Sequence, residues 1–122
     1  GVISIFLEKI SKNEGVSIFG DGNQTRDFIY VKDVAKANFD ILKNKGITNT
    51  VLNIGTGKST SLLDIVEIIS DCYYKKTEIS FEKEREGDIK HSLSDNSLML
   101  SHGLLCSYTV KSGLEDTIGK VK

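Results

Sequence analysis

Residues 20–35 read GDGNQTRDFIYVKDVA, and the surrounding chain takes its meaning from this stretch. Gly20, Asp21, Gly22 and Asn23 tolerate positive φ and bond readily to their own backbone, so the stretch begins as a turn. The run Phe28-Ile29-Tyr30-Val31 predicts a short strand. Asp33 then falls in the first turn of a helix, where a carboxylate suits the exposed amides. Between turn and strand stands Arg26, one of only two arginines in a lysine-rich chain. The other, Arg85, lies in a second polar loop, KEREGD at 83–88. A guanidinium is a planar, permanently charged fork that matches carboxylate or phosphate. Two readings stay open: the pair grips an anion, or each arginine holds its loop by pairing with Asp27 or Asp88.

Before this stretch, Ile3, Phe6, Leu7 and Ile10 recur at helical spacing, and Lys12, Asn13 and Gly15 close that helix. Val16 to Phe19 predicts a strand. After it, a helix is expected over 32–43 with Val34, Ala37, Asn38 and Ile41 inward. The apolar run 50–54 reads as a buried parallel strand. Gly55-Thr56-Gly57 turns the chain, Ser59 or Thr60 caps, and Leu62, Ile65, Val66 and Ile69 make a third helical stripe. Residues 77–81 alternate as a strand, 82–92 form a charged loop, and helices are expected over 95–100 and 111–120. Strands alternating with helices argue α/β. Four short strands do not complete a doubly wound sheet, so an incomplete domain leaning on a missing neighbour is expected. The chain opens inside a helical pattern at Gly1, which reads as the cut end of something longer.

At 122 residues the chain holds one core. A net charge of −1 gives no basic footprint for nucleic acid. No run approaches a membrane span, and Cys72 and Cys106 fit reduced thiols, hence the cytoplasm. Asn53 to Ser61, NIGTGKSTS, invites a phosphate-loop reading. The Walker spacing needs glycine where Leu52 stands, and the dinucleotide fingerprint needs glycine or alanine where Thr60 stands. A capped strand-to-helix turn is the simpler reading. His91, His102 and the cysteines share no metal-binding spacing.

Taken in order, GVISIF, VSIFGDGNQTRDFIYVKDVA, VLNIGTGKSTSLLDIVEII, EREGDIKHSLSD and SGLEDTI resemble the carboxy-terminal part of an extended short-chain dehydrogenase/reductase. The family is that of NAD-dependent sugar-nucleotide epimerases and dehydratases, UDP-glucose 4-epimerase-like. The resemblance implies a small substrate-binding domain, incomplete and lacking the Rossmann NAD-binding domain. By the same resemblance, Arg26 and Arg85 match the pair that holds the substrate diphosphate. Asp88 matches the residue near the ribose hydroxyls, and the backbone around Ser17 to Phe19 matches the segment at the uracil edge. Val16 and Cys106 stand where the family has proline.

The family's catalytic tyrosine is followed four residues on by lysine. Here the residues four beyond Tyr30, Tyr73, Tyr74 and Tyr108 are Val34, Thr77, Glu78 and Ser112. No catalytic residue and no cofactor site is therefore expected in this chain, with NAD and the Rossmann domain belonging to a longer enzyme. The expected function is the UDP-sugar-binding portion of an epimerase or dehydratase, inactive alone. A free-standing nucleotide-sugar module or a non-binding remnant are the alternatives. The stripes on the first and third helices are expected to pack partly against the missing domain, leaving apolar surface that promotes self-association.

Overall fold

The computed structural model describes residues 1–121. The elements run α1 (Val2–Ser11), β1 (Val16–Phe19), β2 (Thr25–Arg26), α2 (Val31–Lys43), β3 (Thr60–Ser61), α3 (Leu62–Cys72), β4 (Ile79–Glu82), α4 (Ser97–Ser101) and α5 (Val110–Val121). This is a mixed α/β fold with one small parallel sheet. β1 pairs β4 in parallel, Val16 opposite Ile79 through Phe19 opposite Glu82. β2 pairs β3 antiparallel, Thr25 opposite Ser61.

The core lies between α1, α3 and β1. Phe6, Ile10, Val16, Ile18, Ile65, Val66, Ile69 and Leu114 form one buried cluster. The predicted stripes on α1 and α3 thus face each other across this cluster. α1 ends where predicted, with Asn13 at φ 63. Its last carbonyls, on Ile10 and Ser11, accept from the Lys75 ammonium at 3.1 and 2.8 Å. A cation is well placed at that negative end of the helix.

Several boundaries differ from expectation for identifiable reasons. Phe28 to Val31 is not a strand: β2 forms earlier, at Thr25, where β3 offers a partner. Residues 50–54 carry no strand, because no other segment among the described residues pairs with them, and Val51 is 92 % exposed. The cap of α3 is Ser61 rather than Ser59 or Thr60. Its hydroxyl accepts from the Asp64 amide at 3.1 Å while the Asp64 carboxylate accepts from the Ser61 amide at 2.9 Å, a complete capping box. Asn38, expected inward on α2, is exposed, whereas Asp33 is buried beside Ala37.

Asp33 sits in the first turn of α2 as predicted, yet its carboxylate serves another segment. It accepts the amides of Ser107 at 2.8 Å and Tyr108 at 3.0 Å. Around it, Tyr30 packs on Tyr108 with ring centroids 4.7 Å apart, the Tyr30 hydroxyl donates to Asp116, and Lys32 pairs with Asp116 at 2.8 Å. The start of α2 is in this way tied to the segment leading into α5.

Candidate functional site

Parallel pairing decides where the two arginines go. β1 and β4 end side by side at Phe19 and Glu82, so the loops that follow them leave the sheet at the same edge. In open α/β sheets that carboxyl edge is where ligands bind. The two loops are then laced together. The Gly20 amide donates to the Glu82 carbonyl at 2.9 Å and the Thr25 amide to the Lys90 carbonyl at 2.8 Å. The Ser92 amide donates to the Thr25 carbonyl at 3.1 Å, and the Thr25 hydroxyl meets His91 Nδ1 at 2.9 Å.

Lys90 also donates to Asp21 at 2.6 Å. That contact, followed by the Asn23 amide on the same carboxylate, lowers the Asp21 carboxyl to about 2. A depressed folded-state value means that the tie is present above the ordinary carboxylate range near 4 and is lost as pH falls through about 2. A carboxyl-detected NMR titration is expected to place the Asp21 midpoint near 2; an ordinary midpoint would show that Lys90 does not hold this loop.

Between the loops lies a cavity of about 220 Å³ whose walls include Ser17, Phe19, Gln24, Arg26, Arg85 and Asp88. All five residues singled out from sequence therefore meet around one space. Arg26 is fixed twice: Nη1 donates to its neighbour's carbonyl, on Thr25, at 2.8 Å, and Nη2 to Asp88 Oδ1 at 3.0 Å. The Arg85 guanidinium lies over the Phe19 ring, 3.9 Å from its centroid, a stacked placement open to guanidinium more than to ammonium. Ser17 turns its hydroxyl to Ser80 across the sheet at 2.9 Å.

The pairing alternative is answered separately for each aspartate. Asp88 does pair with Arg26. Asp27 pairs with neither arginine; it accepts the amides of Thr56 at 3.0 Å and Gly57 at 2.9 Å, and also the Thr56 hydroxyl. The glycine-rich turn thus spends these donors on the protein's own carboxylate, and the amides a phosphate would need there are taken.

Gln24 is a member of the site that the sequence reading did not single out. It is 6 % exposed, and its Nε2 donates to the Phe19 carbonyl at 2.7 Å, bracing the end of β1 beneath the Arg85 stack. Only its place two residues before Arg26 hinted at it.

A larger hollow of about 500 Å³ lies elsewhere, between residues 55–60 and 96–111. It holds none of the five predicted residues. Cys106 lines it, but burial and then the carboxylates of Asp33 and Asp27 push its thiol up, the opposite of an activated nucleophile. Its Sγ lies 3.6 Å from the Gly55 carbonyl. Among the described residues no group of three or more His, Cys, Asp or Glu could hold a metal ion. None of the described helices is long and apolar enough to cross a membrane.

Comparison with known proteins adds a consistent picture. Residues 1–55 match the NAD dependent epimerase/dehydratase family. The whole chain is 43 % identical to a putative UDP-glucose 4-epimerase of Methanocaldococcus jannaschii, over 39 % of that relative's length. Among solved structures it is similar to a UDP-glucose 4-epimerase of Thermotoga maritima crystallised with UDP-glucose. The TM-score is 0.90 at 32 % identity, covering 99 % of this chain and 39 % of that one. A UDP-N-acetylglucosamine 4-epimerase of Methanobrevibacter ruminantium, in complex with UDP-N-acetylmuramic acid, gives 0.84 at 37 % identity. That match covers 98 % of this chain and 38 % of that one.

Proposed function

We propose, for a chain that belongs to the NAD dependent epimerase/dehydratase family, that residues 1–122 are its carboxy-terminal, UDP-sugar-binding portion. One observation carries this reading: Arg26 and Arg85 come from loops far apart in sequence and line one cavity with Ser17, Phe19 and Asp88. Two permanent cations at the carboxyl edge of a parallel sheet suit a diphosphate, which offers each a charge-assisted, forked contact. In this reading Asp88 turns to the ribose hydroxyls once Arg26 has the phosphate, and the backbone of residues 17–19 faces the uracil edge. The hydride acceptor NAD and the tyrosine and lysine that move protons belong to a Rossmann domain outside these residues, so the chain alone does no chemistry. The setting expected from its reduced cysteines is the cytoplasm.

Calorimetric titration of the chain tests this directly. UDP is expected to bind saturably with Kd below about 1 mM, a free energy near −4 kcal/mol. Uridine, which lacks the diphosphate, is expected to bind at least tenfold more weakly, and NAD not at all. Equal affinity for UDP and uridine would remove the diphosphate clamp, and saturable NAD binding would remove the division of labour.

A further inference from the structure

β4 is an edge strand, open along the side that faces away from β1. Its even-numbered residues carry the parallel ladder: the Glu78 carbonyl accepts from the Val16 amide and the Glu82 carbonyl from the Gly20 amide, both at 2.9 Å. Backbone groups alternate in direction along a strand, so those of Ile79 and Phe81 point away from β1. Among the described residues these groups have no hydrogen-bond partner. The outer edge of β1 differs, since Gln24 already donates to the Phe19 carbonyl and the cavity opens beside it. Phe81 is 56 % exposed and Ile79 half-buried, and alternation puts both on one face. The register runs unbroken from Val16–Ile79 to Phe19–Glu82, and the chain has no proline. A bulge and a proline, two of the usual guards against edge pairing, are therefore both missing from this strand.

We propose that the open edge of β4 pairs with β4 of a second copy of this chain, antiparallel about a two-fold axis at Ile79. The two small sheets then join into one of four strands, β1-β4-β4-β1. This stands on the strand's own backbone and charges and is independent of the family reading. A two-fold axis makes the contact self-complementary, each residue meeting its counterpart's partner twice. Side chains directly opposed across antiparallel strands share a face and interact. Two registers bring the open groups of Ile79 and Phe81 into line. With Ser80 on the axis, Glu78 meets Glu82 of the second copy twice, and like charges directly opposed repel. With Ile79 on the axis, Lys76 meets Glu82 of the second copy twice, Glu78 meets Ser80, and Phe81 meets Thr77. Neither Lys76 nor Glu82 is ion-paired among the described residues. Charge thus selects the second register, and it selects a second copy as occupant: KTEISFE at 76–82 is complementary to itself about its central Ile79. So short a seam buries little surface, which makes the dimer one of the weak, transient kind, populated at roughly 0.1–1 mM chain.

Sedimentation equilibrium of the full chain, run up to about 1 mM, tests the pairing. A reversible monomer–dimer equilibrium is expected, with the amides of Ile79 and Phe81 exchanging more slowly as the chain is concentrated. Lys76→Glu and Glu82→Lys each replace two attractive pairs by two repulsive ones, so each should weaken the dimer by about fivefold or more. The double variant carrying both swaps the pairs and should restore the wild-type affinity to within about twofold. Phe81→Pro removes an amide that serves no bond within the chain and should leave a monomer that melts as the wild type does. If that variant is instead destabilised, the exposed charge variants decide alone. A chain that stays monomeric throughout overturns the proposal, as does a dimer untouched by both single charge variants. A double variant that fails to regain the lost affinity overturns it too. So does exchange that slows with concentration along α2 or residues 50–54 and not at β4, which would assign the association to another apolar surface.

Discussion

Replacing Arg26 or Arg85 by alanine is expected to weaken UDP binding to this chain tenfold or more. A hydrogen bond to a charged group contributes about 1.5–3 kcal/mol, and about 1.4 kcal/mol is a factor of ten. The contact Arg26 already has is a weaker competitor. Arg26 and Asp88 are each about one-third exposed, at 31 % and 34 %, and pairs of that kind contribute roughly 0–1 kcal/mol. A diphosphate can therefore take Arg26 from Asp88, and Asp88→Asn is expected to change affinity far less than Arg26→Ala. Arg85→Lys should recover only part of the loss, because the flat stack on Phe19 and the fork both go with the guanidinium. Calorimetry with UDP, run beside urea denaturation, separates the alternatives. Arginine variants that lose stability but bind UDP as before would make the two residues loop braces and nothing more.

The second large effect is on stability. Asp33→Ala is expected to cost about 3 kcal/mol, since it leaves the amides of Ser107 and Tyr108 without their acceptors beside a buried position. The urea midpoint should fall with little change in slope, and the melting temperature should drop by on the order of 10 °C. Asp33→Asn keeps the shape but turns an amide donor towards one of those N–H groups, so it should recover less than half. A loss under about 1 kcal/mol for the alanine variant would mean that Tyr108 stacking alone holds the segment in place.

What could be read in advance follows from what local sequence encodes. α1 and α3 were legible because apolar side chains at helical spacing have one way to be buried together, and Phe6, Ile10, Ile65 and Ile69 take it. The arginines were legible as candidates because two forked cations in polar loops are unusual in a lysine-rich chain. That they meet follows from a pairing 63 positions apart, which no local pattern carries. Thr50–Ile54 misled for the same reason in reverse: its composition states what kind of neighbour it fits, while strand formation needs that neighbour present. The partners of Asp27 and Asp33 were not legible, because a carboxylate near amides is easy to foresee, but which amides is a tertiary fact.

The parallel pairing of β1 with β4 also bears on the order in which this molecule is expected to assemble. The bonds that build the cleft span 62, 66 and 69 positions, whereas the capping box of α3 spans three. Closing a long loop costs chain entropy before any contact repays it. The helices with their near-neighbour bonds are therefore expected to come first, and the ends of the cleft to join late. Interactions absent from the folding transition state act on the unfolding rate. A nucleotide held between the two loops would accordingly leave the speed of folding almost untouched and lengthen the lifetime of the folded chain instead. On this account the ligand works as a clasp, closing a ring of backbone that the chain alone draws shut only at the end.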